Sequence, residues 1–263
     1  MKILAIGDPH GKLPKNIPKK FDFCIITGDL GKANLARKRF FENQKRKQND
    51  LPGLEETETY TKEVYNEIHY STISVLKFLS KFAPVYTIQG NVGIFKKSES
   101  KEIKKKWKIN LFSTREKIKS IKNVNLIKNQ FRIINGLKIG FLEFFTDTSW
   151  VKEFRPMDYS KKMKSAKKQT DKAKKILSRF KGLDILVCHQ PPYGILDKVN
   201  FPGIPKNWIG KHAGSKAILN YIKTYQPKIV LCGHIHEAKG KAKIRKTVVY
   251  NLGCCGDYKI LKI

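Results

Sequence analysis

Met1-Lys2-Ile3-Leu4-Ala5-Ile6-Gly7-Asp8-Pro9-His10-Gly11 opens the chain. A strand-length apolar run ends on a carboxylate and an imidazole two positions apart, with a glycine on either side. Gly7 and Gly11 permit a sharp turn from which both side chains could reach one point. The same arrangement returns downstream. Phe23 to Thr27 leads into Gly28-Asp29-Leu30, Pro84 to Ile88 into Gly90-Asn91, Ile185 to Cys188 into His189, and Ile229 to Cys232 into Gly233-His234-Ile235-His236. Each apolar run reads as a buried strand, and helical patterns separate them, which predicts βαβ units and the α/β class. Groups at the C-terminal ends of neighbouring parallel strands converge on one edge of a sheet.

The intervening helices show in the 3.6-residue spacing of their apolar residues. Val64, Ile68, Val75, Leu76 and Leu79 share a face in a segment running to Phe82. Met163, Ala166, Thr170, Ala173, Leu177 and Phe180 share another, among lysines. A third helix follows His212 through Ala217, Ile218, Tyr221 and Ile222 and ends before Pro227. Asn123 to Phe144 and Thr247 to Ile263 read as hairpins or meanders, with Asn135-Gly136 as a hairpin turn. Residues 32–60, 95–122 and 145–182 look like basic additions to one domain spanning 1–263. Residues 152–181 carry twelve Lys or Arg against three acids.

The chain of 263 residues has 54 basic and 22 acidic side chains, a formal charge of +32. Such a charge suits a polyanionic partner, nucleic acid included, through counterion release. Only eight of the basic residues are Arg, and the Lys are spread widely. A lysine-rich proteome would leave the same mark without nucleic acid. No apolar run is long enough to cross a bilayer, and the Asp-x-His motif follows the N-terminus too closely for a removable signal peptide. A cytoplasmic protein is expected. Cys24, Cys188 and Cys232 fit as small buried hydrophobes, and the vicinal Cys254-Cys255 pair has no C-x-x-C spacing.

Two Asp, one Asn and four His, with no Cys, form a nitrogen and oxygen donor set unlike a structural zinc site. It suits Mn²⁺, Fe, Zn²⁺ or Ni²⁺ better than Ca²⁺. The succession Asp-x-His, Gly-Asp, Gly-Asn, a lone His and Gly-His-x-His resembles the calcineurin-like metallophosphoesterases over essentially the whole chain. The resemblance implies a four-layer α-β-β-α sandwich of two mixed sheets. It also implies that Asp8, His10 and His236 hold one metal, that Asn91, His189 and His234 hold a second, and that Asp29 bridges them. The expected cofactors are therefore two divalent ions, Mn²⁺ ahead of the others, and the expected partner is a phosphate ester. A bridging hydroxide would attack phosphorus in line with the leaving group.

One departure stands out. The family often has His and then Asp or Glu after Gly-Asn, where this chain has Val92 and Gly93. The His commonly contacts phosphate or protonates the leaving group, so its loss points to a changed preference, with a phosphodiesterase expected first. A phosphomonoesterase or nucleotide pyrophosphatase on the same metals is the alternative. A nucleic-acid-binding protein with little turnover is another, from a different class. His212 is the candidate replacement acid or phosphate contact; it could equally cap the following helix or sit on its surface. Its segment, His189-Gln190-Pro191-Pro192-Tyr193-Gly194 onward with Gly233 to Glu237, resembles a phosphodiesterase-like subgroup of the superfamily. Tyr193, Phe201 and Trp208 could stack on a base or pack their loop down. His69, mid-helix, has no expected role.

Overall fold

The computed structural model of the chain describes residues 1–92 and 97–263. Five strands build the first sheet: β1 (Lys2–Ile6), β2 (Phe23–Ile26), β3 (Val85–Thr87), β4 (Val124–Leu126) and the terminal Tyr258–Lys262. The first four run parallel, and Tyr258–Lys262 lies antiparallel along β1. The second sheet holds β5 (Gln130–Ile134), β6 (Leu137–Leu142), β7 (Ile185–Cys188), β8 (Ile229–Cys232), β9 (Gly240–Ile244) and β10 (Thr247–Asn251), in the order β5-β6-β7-β8-β10-β9. Its centre, β6-β7-β8-β10, is parallel, and antiparallel strands close both edges. The terminal strand is β11.

The period of two along each strand sorts side chains between two faces, and both faces are apolar because both are covered. Ile3, Ala5, Phe23 and Ile25 point into a core shared with Ile139, Phe141, Ile185, Val187 and Leu231 of the other sheet. Their neighbours Leu4, Ile6, Cys24 and Ile26 face α2 (Glu58–Leu79) and the short helix Thr114–Lys119 through Val75, Leu76, Leu79 and Ile118. On the far side Leu186, Cys188, Val230 and Cys232 meet Ala173 and Leu177 of the helix Tyr159–Leu177, and Ala217, Ile218, Tyr221 and Ile222 of the helix Lys216–Tyr225. Helix, sheet, sheet and helix therefore stack as a four-layer α-β-β-α sandwich, as expected.

In chain order the helices are α1 (Asn34–Gln48), α2, α3 (Lys97–Trp107), α4 (Thr114–Lys119), α5 (Thr148–Phe154), α6 (Tyr159–Leu177) and α7 (Lys216–Tyr225). Helix α2 begins at Thr57, whose hydroxyl accepts from the Tyr60 amide, and α7 at Ser215, which accepts from Ile218. Such caps satisfy amides that have no partner within the helix. Among the described residues no helix is long and apolar enough to cross a membrane.

Two β readings from sequence need correction. Asn135-Gly136, both at positive φ, does turn β5 into β6, but β4 pairs parallel with β3 in the other sheet. Asn123 to Phe144 is thus a crossover followed by a hairpin. Likewise Thr247 to Ile263 is not a hairpin: β10 pairs with β8 and β9, while β11 crosses to β1. Alternation marks a strand but not its partner, and here the partners lie far away in sequence.

Candidate metal centre

The strand ends deliver their polar residues to one place. Asp8 follows β1, Asp29 follows β2, Asn91 lies beyond β3, His189 caps β7, and His234 and His236 follow β8. The backbone there is unusual: His10, Asp29 and His234 all have positive φ. Non-glycine residues rarely occupy that region, and they gather at functional sites where the surroundings hold them. Glycines contribute close approach more than freedom. A methyl group on Gly90 would fall inside contact distance of Asp29 Oδ1, and one on Gly233 would collide with the Asp8 carboxylate.

Two overlapping donor groups result, Asp8–His10–His236 and Asp8–Asp29–His189, the chosen atoms of each lying within 4.8 Å of one another. His236 Nε2 is 3.3 Å from Asp8 Oδ2 and 3.4 Å from His10 Nε2. Asp29 Oδ2 lies 3.8 Å from His10 Nε2 and 3.6 Å from His189 Nε2, between the two groups. Asn91 Oδ1 is 2.6 Å from His189 Nε2. The ring of His234 lies 4.9 Å from that of His189, and its amide donates to Asp8 Oδ2 at 2.6 Å. All seven residues expected from sequence thus come together, though not at the edge of a single sheet: Asp8, His10, Asp29 and Asn91 follow strands of the first sheet, and His189, His234 and His236 follow strands of the second. Gly93 lies outside the described residues.

Residues without a signal of their own complete the arrangement. Thr27 donates its hydroxyl to Asp8 Oδ1 at 2.9 Å, and its carbonyl accepts from His189 Nδ1 at 3.0 Å. That second bond needs a proton on Nδ1, and Nε2 is the nitrogen turned toward Asn91 Oδ1 and Asp29 Oδ2. The Phe144 ring packs on both His189 and His234. Thr27 could have been suspected from its place before Gly28-Asp29; nothing local marks Phe144. Val92, where the resemblance would place a histidine, packs with Ala33, Val64 and Ile68, and its amide donates to Asp29 Oδ1 at 2.8 Å.

Electrostatics make the cluster a set of lone pairs. Burial, with the nearby His236 and Arg37, pulls His10 down to about 4 against the opposing pull of Asp8. Desolvation, reinforced by His189, holds His234 well below the usual imidazole range. Burial would raise Asp8, yet the facing His189 and His236 and the His234 amide bring it below the ordinary carboxylate range. Burial and Asp8 raise Asp29 to about 6, against the attraction of His189. Carboxylates, imidazoles and an amide oxygen converge here, with His10 and His234 held toward the unprotonated form, an arrangement completed by cations. The donor chemistry therefore fits divalent metal ions.

Outer bonds of this kind are worth roughly 10–100-fold in metal affinity. Thr27→Val keeps the shape and the carbonyl but deletes the hydroxyl bond to Asp8. A loss of Mn²⁺ affinity of that size is expected by calorimetry; unchanged affinity would show that Asp8 needs no such support.

His212 stands apart from this cluster. Its Nδ1 donates to Asp197 Oδ1 at 2.7 Å, and the fully buried Asp197 also accepts from the amides of Gly194 and Gly214. Ser215, not His212, caps α7. The segment is bound to the strand ends nonetheless: Ala213 packs against Ile235, between His234 and His236, and Asn200 donates its amide to Glu237. Tyr193 packs on His212 and donates to Glu153, and Trp208 lies against Phe154. His69 is a structural residue, bonded to the Thr114 hydroxyl at 2.8 Å.

An α-β-β-α sandwich with carboxylates and imidazoles gathered at its strand ends presents a donor set that fits divalent metal ions. The model of the calcineurin-like phosphoesterases matches residues 1–238, and the chain belongs to that family. An uncharacterized protein of Methanocaldococcus jannaschii is 25% identical over 256 residues, covering 95% of this chain and 87% of that protein. One crystal structure shares the fold with a TM-score of 0.57 and 16% identity, over 99% of this chain and 94% of the other. A putative 5'-nucleotidase from Staphylococcus aureus, solved with alpha-ketoglutarate, gives a TM-score of 0.42 at 11% identity, over 97% of this chain and 49% of that one. Family membership makes this chain a metal-dependent phosphoesterase.

Proposed function

We propose that the protein hydrolyses phosphodiesters at a two-metal centre. In this reading Asp8, His10 and His236 hold one ion, Asn91, His189 and His234 hold the other, and Asp29 serves both. The supporting observation is the pair of donor groups that overlap at Asp8, with Asp29 Oδ2 reaching toward both. Two divalent ions, Mn²⁺ first among them, would supply positive charge against the phosphoryl oxygens and acidify water for attack on phosphorus. The protein's part is to orient the donors: Thr27 fixes the His189 tautomer, and the Val92 amide steadies Asp29.

A diester preference is supported by the residue after Asn91. Val92 is turned into the apolar cluster of α2 and carries no proton to give. His212 is our candidate for that task. Asp197 orients the ring through Nδ1 and leaves Nε2 for proton transfer, and the side chain keeps 27% of its surface exposed. A general acid matters most when the leaving group is poor. His212→Asn should therefore slow hydrolysis of an alkyl phosphodiester by roughly 10²–10⁴-fold while leaving bis-p-nitrophenyl phosphate nearly untouched. Equal losses on both substrates would assign His212 a structural role.

The deciding experiment uses metal-stripped protein with Mn²⁺, Ni²⁺ or Mg²⁺ restored singly. Metal-dependent turnover of bis-p-nitrophenyl phosphate above p-nitrophenyl phosphate is expected. Preference for the monoester would favour a phosphomonoesterase, and metal binding with no turnover of either would sink the enzymatic reading.

A further inference from the structure

Helix α1 buries no residue, although it carries Leu35, Phe40 and Phe41. It lies against α2 and across from the 199–211 loop, with a cleft of about 400 Å³ between them. That volume is within the roughly 300–1,000 Å³ of ordinary ligand sites. Phe41, Lys45, Ile204 and Lys206 are among its walls. The Phe41 ring meets that of Phe201 at 6.0 Å, and Phe40 meets Trp208 at 6.5 Å. Phe201 is 38% and Phe40 47% exposed, so part of each ring remains accessible to solvent.

The charge around the rings has one sign. Helix α1 holds Arg37, Lys38, Arg39, Lys45, Arg46 and Lys47 against Glu42 alone. Arg39 and Arg46 are engaged with backbone carbonyls of residues 52–55. Lys38, Lys45 and Lys206 have no ion-pair partner among the described residues. The guanidinium of Arg37 lies 5.4 Å from the Phe201 ring centroid, and it is close enough to His10 to act on it electrostatically. Asn200, the residue before Phe201, donates its amide to Glu237, the residue after His236.

We propose that this cleft is a subsite for single-stranded nucleic acid, with a base against Phe201 and Phe41 and backbone phosphates on Lys45, Lys206 and Arg37. Partly exposed aromatic rings interleaved with unpaired cations match that ligand: unstacked bases supply π faces, and phosphates supply charge. A duplex keeps its bases stacked and paired, out of reach of these rings. The inference names the substrate class of the proposed phosphodiesterase and rests on that reading.

Binding without turnover tests it. Anisotropy of a labelled 12-nucleotide single strand would be titrated with full-length protein in EDTA, over a range of salt. Phe201→Ala should raise Kd by roughly tenfold, the effect of losing one stacked base. Lys45→Ala with Lys206→Ala should lower the salt slope by about 0.7 per lysine, while the matched pair Lys164→Ala with Lys168→Ala on α6 should change neither. Equal loss in the α6 pair would reduce the effect to diffuse charge and overturn the proposal. So would tighter binding of a duplex, competition by a nucleoside monophosphate as effective as the strand, or no change in either cleft variant. Hydrolysis of bis-p-nitrophenyl phosphate by wild-type protein, run in parallel, judges the phosphodiesterase reading separately.

Discussion

Asp29→Ala is expected to reduce metal-dependent diester hydrolysis by up to about a thousandfold, on the scale of losing a preorganised group in an active site. The carboxylate reaches both donor groups, with Oδ2 3.8 Å from His10 and 3.6 Å from His189, while Oδ1 takes the Val92 amide. Among the described residues the donor groups contain no carboxylate besides Asp8 and Asp29, and a second ion held by imidazoles and an amide alone would be poorly neutralised. Mn²⁺ stoichiometry measured by calorimetry should fall together with kcat. The helical far-UV signal should persist, because Asp29 contributes nothing to the cores between the layers. Retained turnover with two ions bound would remove Asp29 from its proposed shared position.

Gly90→Ala is expected to come next in effect, although it deletes nothing. The added methyl would fall against Asp29 Oδ1 and close to His189 Cε1. Both belong to residues locked from behind, Asp29 by the Val92 amide and His189 by the Thr27 carbonyl. Overpacking of a rigid interior costs about 1–3 kcal/mol, visible as a lower Tm. The activity should suffer more, by roughly a hundredfold, since a displacement of about 1 Å at reacting groups costs that much. A variant with normal kcat would mean that the site tolerates movement of Asp29.

Much of this is legible along the chain itself. Ile3 to Ile6, Phe23 to Ile26 and Ile185 to Cys188 announce buried strands by composition and length, and each ends at a glycine or a histidine or one residue short of one. A strand must hand its chain to a turn at its end, so the residues there sit at the ends of the strands of both packed sheets. Hence the residues from Asp8 to His236 that gather there could be picked from local patterns. The amphipathic helices α2, α6 and α7 were equally plain, because burying one face leaves a 3.6-residue trace.

Partnership was not legible. Nothing in Val124 to Leu126 says that it joins β3 rather than β5, or in Tyr258 to Lys262 that it returns to β1. Strand pairing is chosen by register and burial against distant segments. The same holds for side chains. Asp197 lies fifteen positions from His212 and Thr27 far from His189, so their hydrogen bonds have no local imprint. Phe144, which packs on two of the imidazoles, looks in sequence like the end of an ordinary strand.

The sequence alone determined the α/β class, the donor chemistry and its place at the strand ends, since short-range patterning and turn chemistry carry those. Only the tertiary structure decided which strands share a sheet, which nitrogen of His189 is offered, and that Asp197 orients His212. Those outcomes depend on contacts between residues brought together by folding, and no window along the chain contains both partners.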